Sequence, residues 1–145
     1  MIFKDSHSLK GHINIKLFDE NGQLKQEIDK PNVITTVGKN YLADWLTAPA
    51  FMQYIGLGTG TAAASAADTD LETPLTSRVA GVLSSTTNIW KNQATFGPGI
   101  NTGAVTEAGL FSASSSGTMM ARQTFSVINK LAGDTIVFTW QITLS

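Results

Sequence analysis

Apolar and polar residues alternate with a period of two along most of the chain. The C-terminal stretch DTIVFTWQITLS shows it most plainly. Ile136, Phe138, Trp140, Ile142 and Leu144 fall on one face, and Val137, Thr139, Gln141 and Thr143 on the other. A helix would scatter these residues around its circumference, whereas a half-buried strand keeps each set together. GHINIKLF repeats the pattern, with Ile13, Ile15 and Leu17 opposed to His12, Asn14 and Lys16. Asn21-Gly22 follows, a pair favoured in type I′ hairpin turns because both central residues there take positive φ. QLKQEI is expected to return antiparallel, and NVITTV, after Pro31, to form another strand. Beyond Gly60 the strand pattern resumes in LTSRVAGVLSST, NIWKNQATF, GAVTEAGLFS and TMMARQTF. Turn-rich TTN, GPGINTG, SASSSG and LAGD separate these runs.

One segment departs from the alternation. Tyr41, Leu42, Trp45 and Leu46 recur at i, i+1, i+4 and i+5, and Pro49 closes the run. This spacing predicts one short helix over residues 39–47, plugging an end of the sheet structure. A single helix cannot supply the crossovers of a parallel sheet. The pattern therefore predicts an all-β protein, an antiparallel β-sandwich or barrel with one short helix. Residues 1–10 hold Ile2 and Phe3 and then polar residues without a clear period, and read as an N-terminal arm. Residues 11–145 form the single sandwich domain.

Composition narrows the function classes. Apolar residues make up 42% of the 145, enough for a core, but charged residues only 14%, against roughly 25% in an average soluble protein. A surface so poor in charge is weakly protected against association and suits a protein covered by partners. The net charge is −1 with no basic block, which argues against a nucleic-acid footprint. No apolar run approaches the length of a membrane span, and MIFKDSHSLKGH lacks the apolar core of a signal peptide. Without cysteine there is neither a disulfide framework nor a thiolate zinc site.

The chemistry-bearing motifs mostly fail on inspection. QYIGLGTGTAAASAADTDLE places Gly56, Gly58 and Gly60 at alternate positions. A dinucleotide fingerprint would need glycine where Thr61 stands, and a P-loop would need a Gly-Lys pair that is missing. The glycines read instead as a strand end where another backbone packs close by, and AAASAADTDLETP as a long loop crossing the sandwich. His7 and His12 are five apart and point to opposite faces of any strand, so neither a metal pair nor a hydrolase triad is expected. Asp68, Asp70 and Glu72 alternate, but without the loop signature of a calcium site, and read as solvated. No metal, cofactor or catalytic residue is assigned. Glu107 stands in an otherwise apolar strand with Val105, Gly109 and Phe111. Turned inward, it would need a cation, and Arg122 or Arg78 can supply one. A structural ion pair of Glu107 with Arg122 is expected. Trp90 and Tyr54 read as core rather than as a sugar platform.

Taken in order, IGLGTGT, DTDLETPL with TSR, VTEAGLF, MMARQTF and NKLAGDTIVFTWQITL resemble a family of small virion proteins of tailed bacteriophages. NVITTVGKNYLADWL and the N-terminal hairpin resemble the opening of that family, so the likeness runs from about Gly11 to Leu144. It implies a capsid cement, or head decoration, protein with a jelly-roll-like antiparallel β-sandwich. Such a protein sits on the outer surface of the head, is assembled in the host cytoplasm, and bridges neighbouring major capsid proteins. It also implies self-association, a dimer before a trimer, and neither enzymatic activity nor cofactor. A tail or tail-fibre structural or receptor-binding domain is the alternative. Candidate capsid contacts are Ile2 and Phe3 in the arm and Thr61, Ser65 and Asp68 in the small-residue loop.

Overall fold

The computed structural model describes residues 9–38, 52–86 and 89–144. Nine antiparallel strands form a nearly closed sheet in the order β4-β3-β7-β8-β2-β1-β9-β6-β5. They are β1 (Leu9–Phe18), β2 (Leu24–Ile34), β3 (Tyr54–Gly58), β4 (Pro74–Ala80), β5 (Val82–Thr86), β6 (Ile89–Phe96), β7 (Gly103–Phe111), β8 (Met119–Lys130) and β9 (Thr135–Leu144). β5, β6, β9, β1 and β2 make one layer. β2, β8, β7, β3 and β4 make the other, with β2 shared. The protein is thus an all-β, barrel-like sandwich.

The first layer follows directly from the alternation. Ile13, Ile15 and Leu17 of β1 stand opposite Trp140, Phe138 and Ile136 of β9. On its other side β9 sets the same three residues opposite Asn92, Ala94 and Phe96 of β6. These positions are buried, and all the apolar ones belong to the main core, where the Phe138 and Trp140 rings stack at 5.4 Å.

Three strand expectations are corrected. β2 does not stop at Pro31 but runs through it as one eleven-residue strand. Residues 24–32 pair with β1, and Val33 and Ile34 then pair with Arg122 and Ala121 of β8. Proline is tolerated where the strand passes from one layer to the other because no neighbour there requires its missing N–H. LTSRVAGVLSST is two strands, β4 and β5, at the opposite ends of the sheet order. Gly81 makes the corner between them, where a Cβ would collide with the Asn92 side chain and lie 2.9 Å from the Gln93 carbonyl oxygen. β1 begins ahead of the expected boundary at Gly11, since Leu9 and Lys10 already pair with Leu144 and Thr143.

Residues 36–38 are helical, begun by Thr35, whose hydroxyl accepts the Gly38 N–H at 3.0 Å as an N-cap. The helix expected over residues 39–47 lies outside the described residues. No helix among the described residues is long and apolar enough to cross a membrane.

Candidate functional site

The second layer is covered on its outer face. β3 and β7 pair Ile55 with Leu110 and Leu57 with Ala108 toward the core, and Gly56 with Gly109 and Gly58 with Glu107 on the other face. Over that other face lies the connection 59–73. It does not cross the sandwich as expected, because β3 and β4 are adjacent strands. It is a long hairpin loop folded back over its own sheet, with Leu71 packed on Phe111 and Met119 in a second, smaller apolar cluster.

Polar contacts supply most of the loop's remaining anchorage. Glu107 is fully buried, yet it does not face the main core. The β7–β8 pairing is irregular between Val105 and Glu107, and the strand changes parity there, so Val105, Ala108 and Leu110 all enter the core while Glu107 faces the loop. Its Oε1 accepts the N–H groups of Gly60 at 3.1 Å and Thr73 at 2.8 Å. Its Oε2 accepts the Glu72 N–H at 3.1 Å and the Arg122 Nε–H at 3.0 Å. Arg122, itself buried, donates from Nη1 to Asp68 Oδ2 at 2.8 Å and from Nη2 to the Ala62 carbonyl at 3.1 Å. Glu72 closes the loop's first turn by accepting the Thr61 and Ala62 N–H groups. Burial works against the Arg122 charge, but hydrogen bonds to Asp68 and Glu107 more than offset it and raise the guanidinium pKa.

The alternate glycines are explained by this arrangement. A Cβ on Gly58 would run into the Glu107 carboxylate and lie 2.6 Å from the Thr73 carbonyl oxygen. One on Gly60 would lie 2.6 Å from both Glu107 Oε1 and the Glu72 Cβ. The close neighbour is chiefly a buried carboxylate, with backbone second. Gly58→Ala should therefore cost roughly 1–3 kcal/mol by overpacking. Gly97→Ala, with nothing within 4 Å of the added carbon, should stay within about 0.5 kcal/mol. Urea unfolding of the two variants checks the contrast.

The sequence candidates separate clearly. Thr61 and Ser65 are exposed on the outer surface of the loop. Asp68 is withdrawn from that surface, held by Arg122 and by the Ser65 N–H at 2.8 Å. Glu107 and Arg122 are paired at 2.9 Å. Ile2 and Phe3 lie outside the described residues, as does His7, and His12 meets Asp29 at 2.7 Å on β1. The acids that read as solvated are each engaged, Asp70 with Arg78 at 3.4 Å and the Leu71 N–H at 2.8 Å. Sequence reasoning missed the role of Glu72 and the seat of Arg78. The Arg78 guanidinium lies 3.5 Å from the centroid of Phe111 and donates to the Ala113 and Ser116 carbonyls. The alternating acids were the available signal for Glu72, because loop amides and a buried arginine both seek carboxylates.

Among the described residues, two carboxyls lie below their ordinary range. Glu72 is lowered by the N–H groups of Ala62 and Thr61. Asp134 is lowered by the Lys25 ammonium at 2.8 Å and the Leu131 N–H. Both hold protons less readily folded than unfolded, so their contribution is complete above the ordinary carboxylate range and is lost as pH falls through the lower folded values. The urea midpoint should be level from pH 7 to about pH 5 and fall below about pH 4. A midpoint unchanged to about pH 3 would contradict this.

No family model, no curated protein and no solved structure matches the chain.

Proposed function

We propose that the protein is a non-enzymatic structural component of a tailed-phage virion, a capsid cement protein that binds the outer surface of the head and bridges neighbouring major capsid proteins. One observation carries the reading from the structural side. The buried charged groups beneath the loop are satisfied by one another and by loop amides, which suits a fixed docking surface rather than a reactive centre. Thr61 and Ser65, with Ala62, Ala63, Ala66 and Ala67, form an uncharged patch on that exposed surface, flanked by Asp70 and Glu72. Small uncharged side chains allow a partner's backbone to approach closely, and a loop already ordered loses little entropy on binding. The sequence resemblance supplies the capsid as partner, and the jelly-roll-like winding of the two layers belongs to the same proposal.

The mechanism is interfacial. Each copy binds a site formed when capsid subunits adopt their mature arrangement, and by mass action it stabilises that arrangement. Many modest interfaces then add to a large resistance against internal pressure. Thr61 and Ser65 from the loop, together with Ile2 and Phe3 from the arm, are the proposed contacts. Densitometry of purified virions tests the assignment. Hundreds of copies per particle are expected, and a number in the tens or below would place the protein in the tail.

A further inference from the structure

The sequence contains one Asn-Gly pair, Asn21-Gly22, at the tip of the β1–β2 hairpin. Only Gly22 takes positive φ, 79°, so the turn is not the type I′ form that the pair favours, which needs it at both residues. Asp19 closes a wider turn instead. Its N–H donates to the Gln23 carbonyl at 2.9 Å, and its carbonyl accepts the Gly22 N–H at 3.1 Å. Its carboxylate Oδ1 accepts the N–H groups of Asn21 at 2.9 Å and Gln23 at 2.8 Å. Asn21 and Gly22 are exposed, and a Cβ on Gly22 would meet nothing within 4 Å. Among the described residues no hydrogen bond holds the Asn21 carboxamide. The other described asparagines are occupied or fixed in a strand. Asn14 donates to Glu27, Asn32 to the Val33 carbonyl and Asn92 to the Met52 carbonyl. Asn101 is buried at φ 50° and caps the edge of β4. Its amide accepts the Ser77 N–H at 3.2 Å and donates to the Ser77 carbonyl at 2.6 Å. Asn129 lies within β8, opposite Ala104.

We propose that Asn21 is a site of spontaneous deamidation, gated by the opening of the Asp19-capped turn. The Gly22 backbone nitrogen attacks the Asn21 side-chain carbonyl carbon. A new C–N bond closes a five-membered succinimide, the attacking nitrogen gives its proton to water, and the carboxamide nitrogen leaves as ammonia. A second water opens the ring at either carbonyl. One route leaves a carboxylate on the side chain, and the other leaves an isoaspartyl link in the main chain. Glycine suits the step because no Cβ crowds the attacking nitrogen or the ring. The Gly22 N–H stays tied to the Asp19 carbonyl until the turn opens, and exposed hydrogen bonds at a loop tip open at low cost. Asp19 sets how often that happens, because its carboxylate holds the residues on both sides of Gly22. Either product adds a negative charge beside Asp19 and Glu20 in a chain of net charge −1. The isoaspartyl product also lengthens the main chain between β1 and β2, whose register already shifts between Leu17 and Phe18. The reaction does not depend on the cement reading.

Peptide mapping of the full chain, incubated folded at mildly alkaline pH, tests it. The peptide Leu17–Lys25 should gain the mass of an amide-to-carboxylate exchange, split between two separately eluting forms, and Asn21→Gln should abolish the gain. The same chain held unfolded in urea should react faster. Asp19→Ala should raise the folded rate about threefold or more, since losing hydrogen bonds that close a turn shifts its opening by that order. It should leave the unfolded rate unchanged. The comparison of folded with unfolded wild type stands even if the alanine variant does not fold. A folded wild type that keeps Asn21 intact while the unfolded chain deamidates overturns the proposal. Equal rates folded and unfolded overturn it too, as does an Asp19→Ala variant of native melting that reacts no faster than the wild type.

Discussion

Trp140→Ala should destabilise the protein by about 3–5 kcal/mol, the largest loss expected from any single truncation in the first layer. The indole is fully buried in the middle of β9, between Ile13 of β1 and Asn92 of β6, and stacks on Phe138. β9 is the strand on which both flanking strands of that layer are registered, so a cavity at its centre loosens contacts on two sides. A loss of this size is a large part of the 5–15 kcal/mol that holds a typical domain. Urea unfolding of the variant against wild type is the check, and near-native stability of a soluble variant would remove β9 from the centre of the core.

Glu107→Ala should cost a similar amount, about 3–5 kcal/mol, by a different mechanism. Truncation removes the fully buried counter-charge of the Arg122 guanidinium, leaving it Asp68, the Ala62 carbonyl and a longer 4.0 Å contact to Glu72, and leaves the Gly60, Glu72 and Thr73 N–H groups without their acceptor. Replacing Glu107 and Arg122 together by apolar residues should recover part of the loss, since the ion pair goes as a unit. Recovery stays incomplete because the three loop amides remain unsatisfied. A double-mutant cycle should give a coupling above about 1 kcal/mol. Additive single losses would mean that the two side chains act independently.

The alternating strands were legible because period two and burial on one face are the same fact seen twice. That is why β1, β9 and the pairing of Glu107 with an arginine could be read from residues alone. The layer change within β2 was not legible, since Pro31 reads as a stop to any local rule, and only the three-dimensional course of the strand makes it harmless. The split at Gly81 was hidden for a related reason, because a corner needs a neighbour such as Asn92 to require it. The face that Glu107 takes was not legible, because one irregularity in the β7–β8 pairing reverses parity. The clasp as a whole brings together Asp68 and Glu72 from the loop, Glu107 from β7 and Arg122 from β8. No spacing rule selects which of several carboxylates a distant arginine will take. Asn101 was equally invisible, since an asparagine in a glycine-rich turn looks like turn chemistry rather than an edge cap.

In the proposed function, the outer surface of the 59–73 loop, held in place by Glu107 and Arg122, is the surface that grips the capsid. The most direct measurement is the affinity of Thr61→Arg for phage particles stripped of the wild-type protein. The Thr61 side chain is exposed and only its N–H is engaged by Glu72, so the variant should melt like the wild type. Its affinity for the particles should fall by about tenfold or more. Undiminished binding by a variant of native stability would show that the capsid is gripped elsewhere, and would contradict the account.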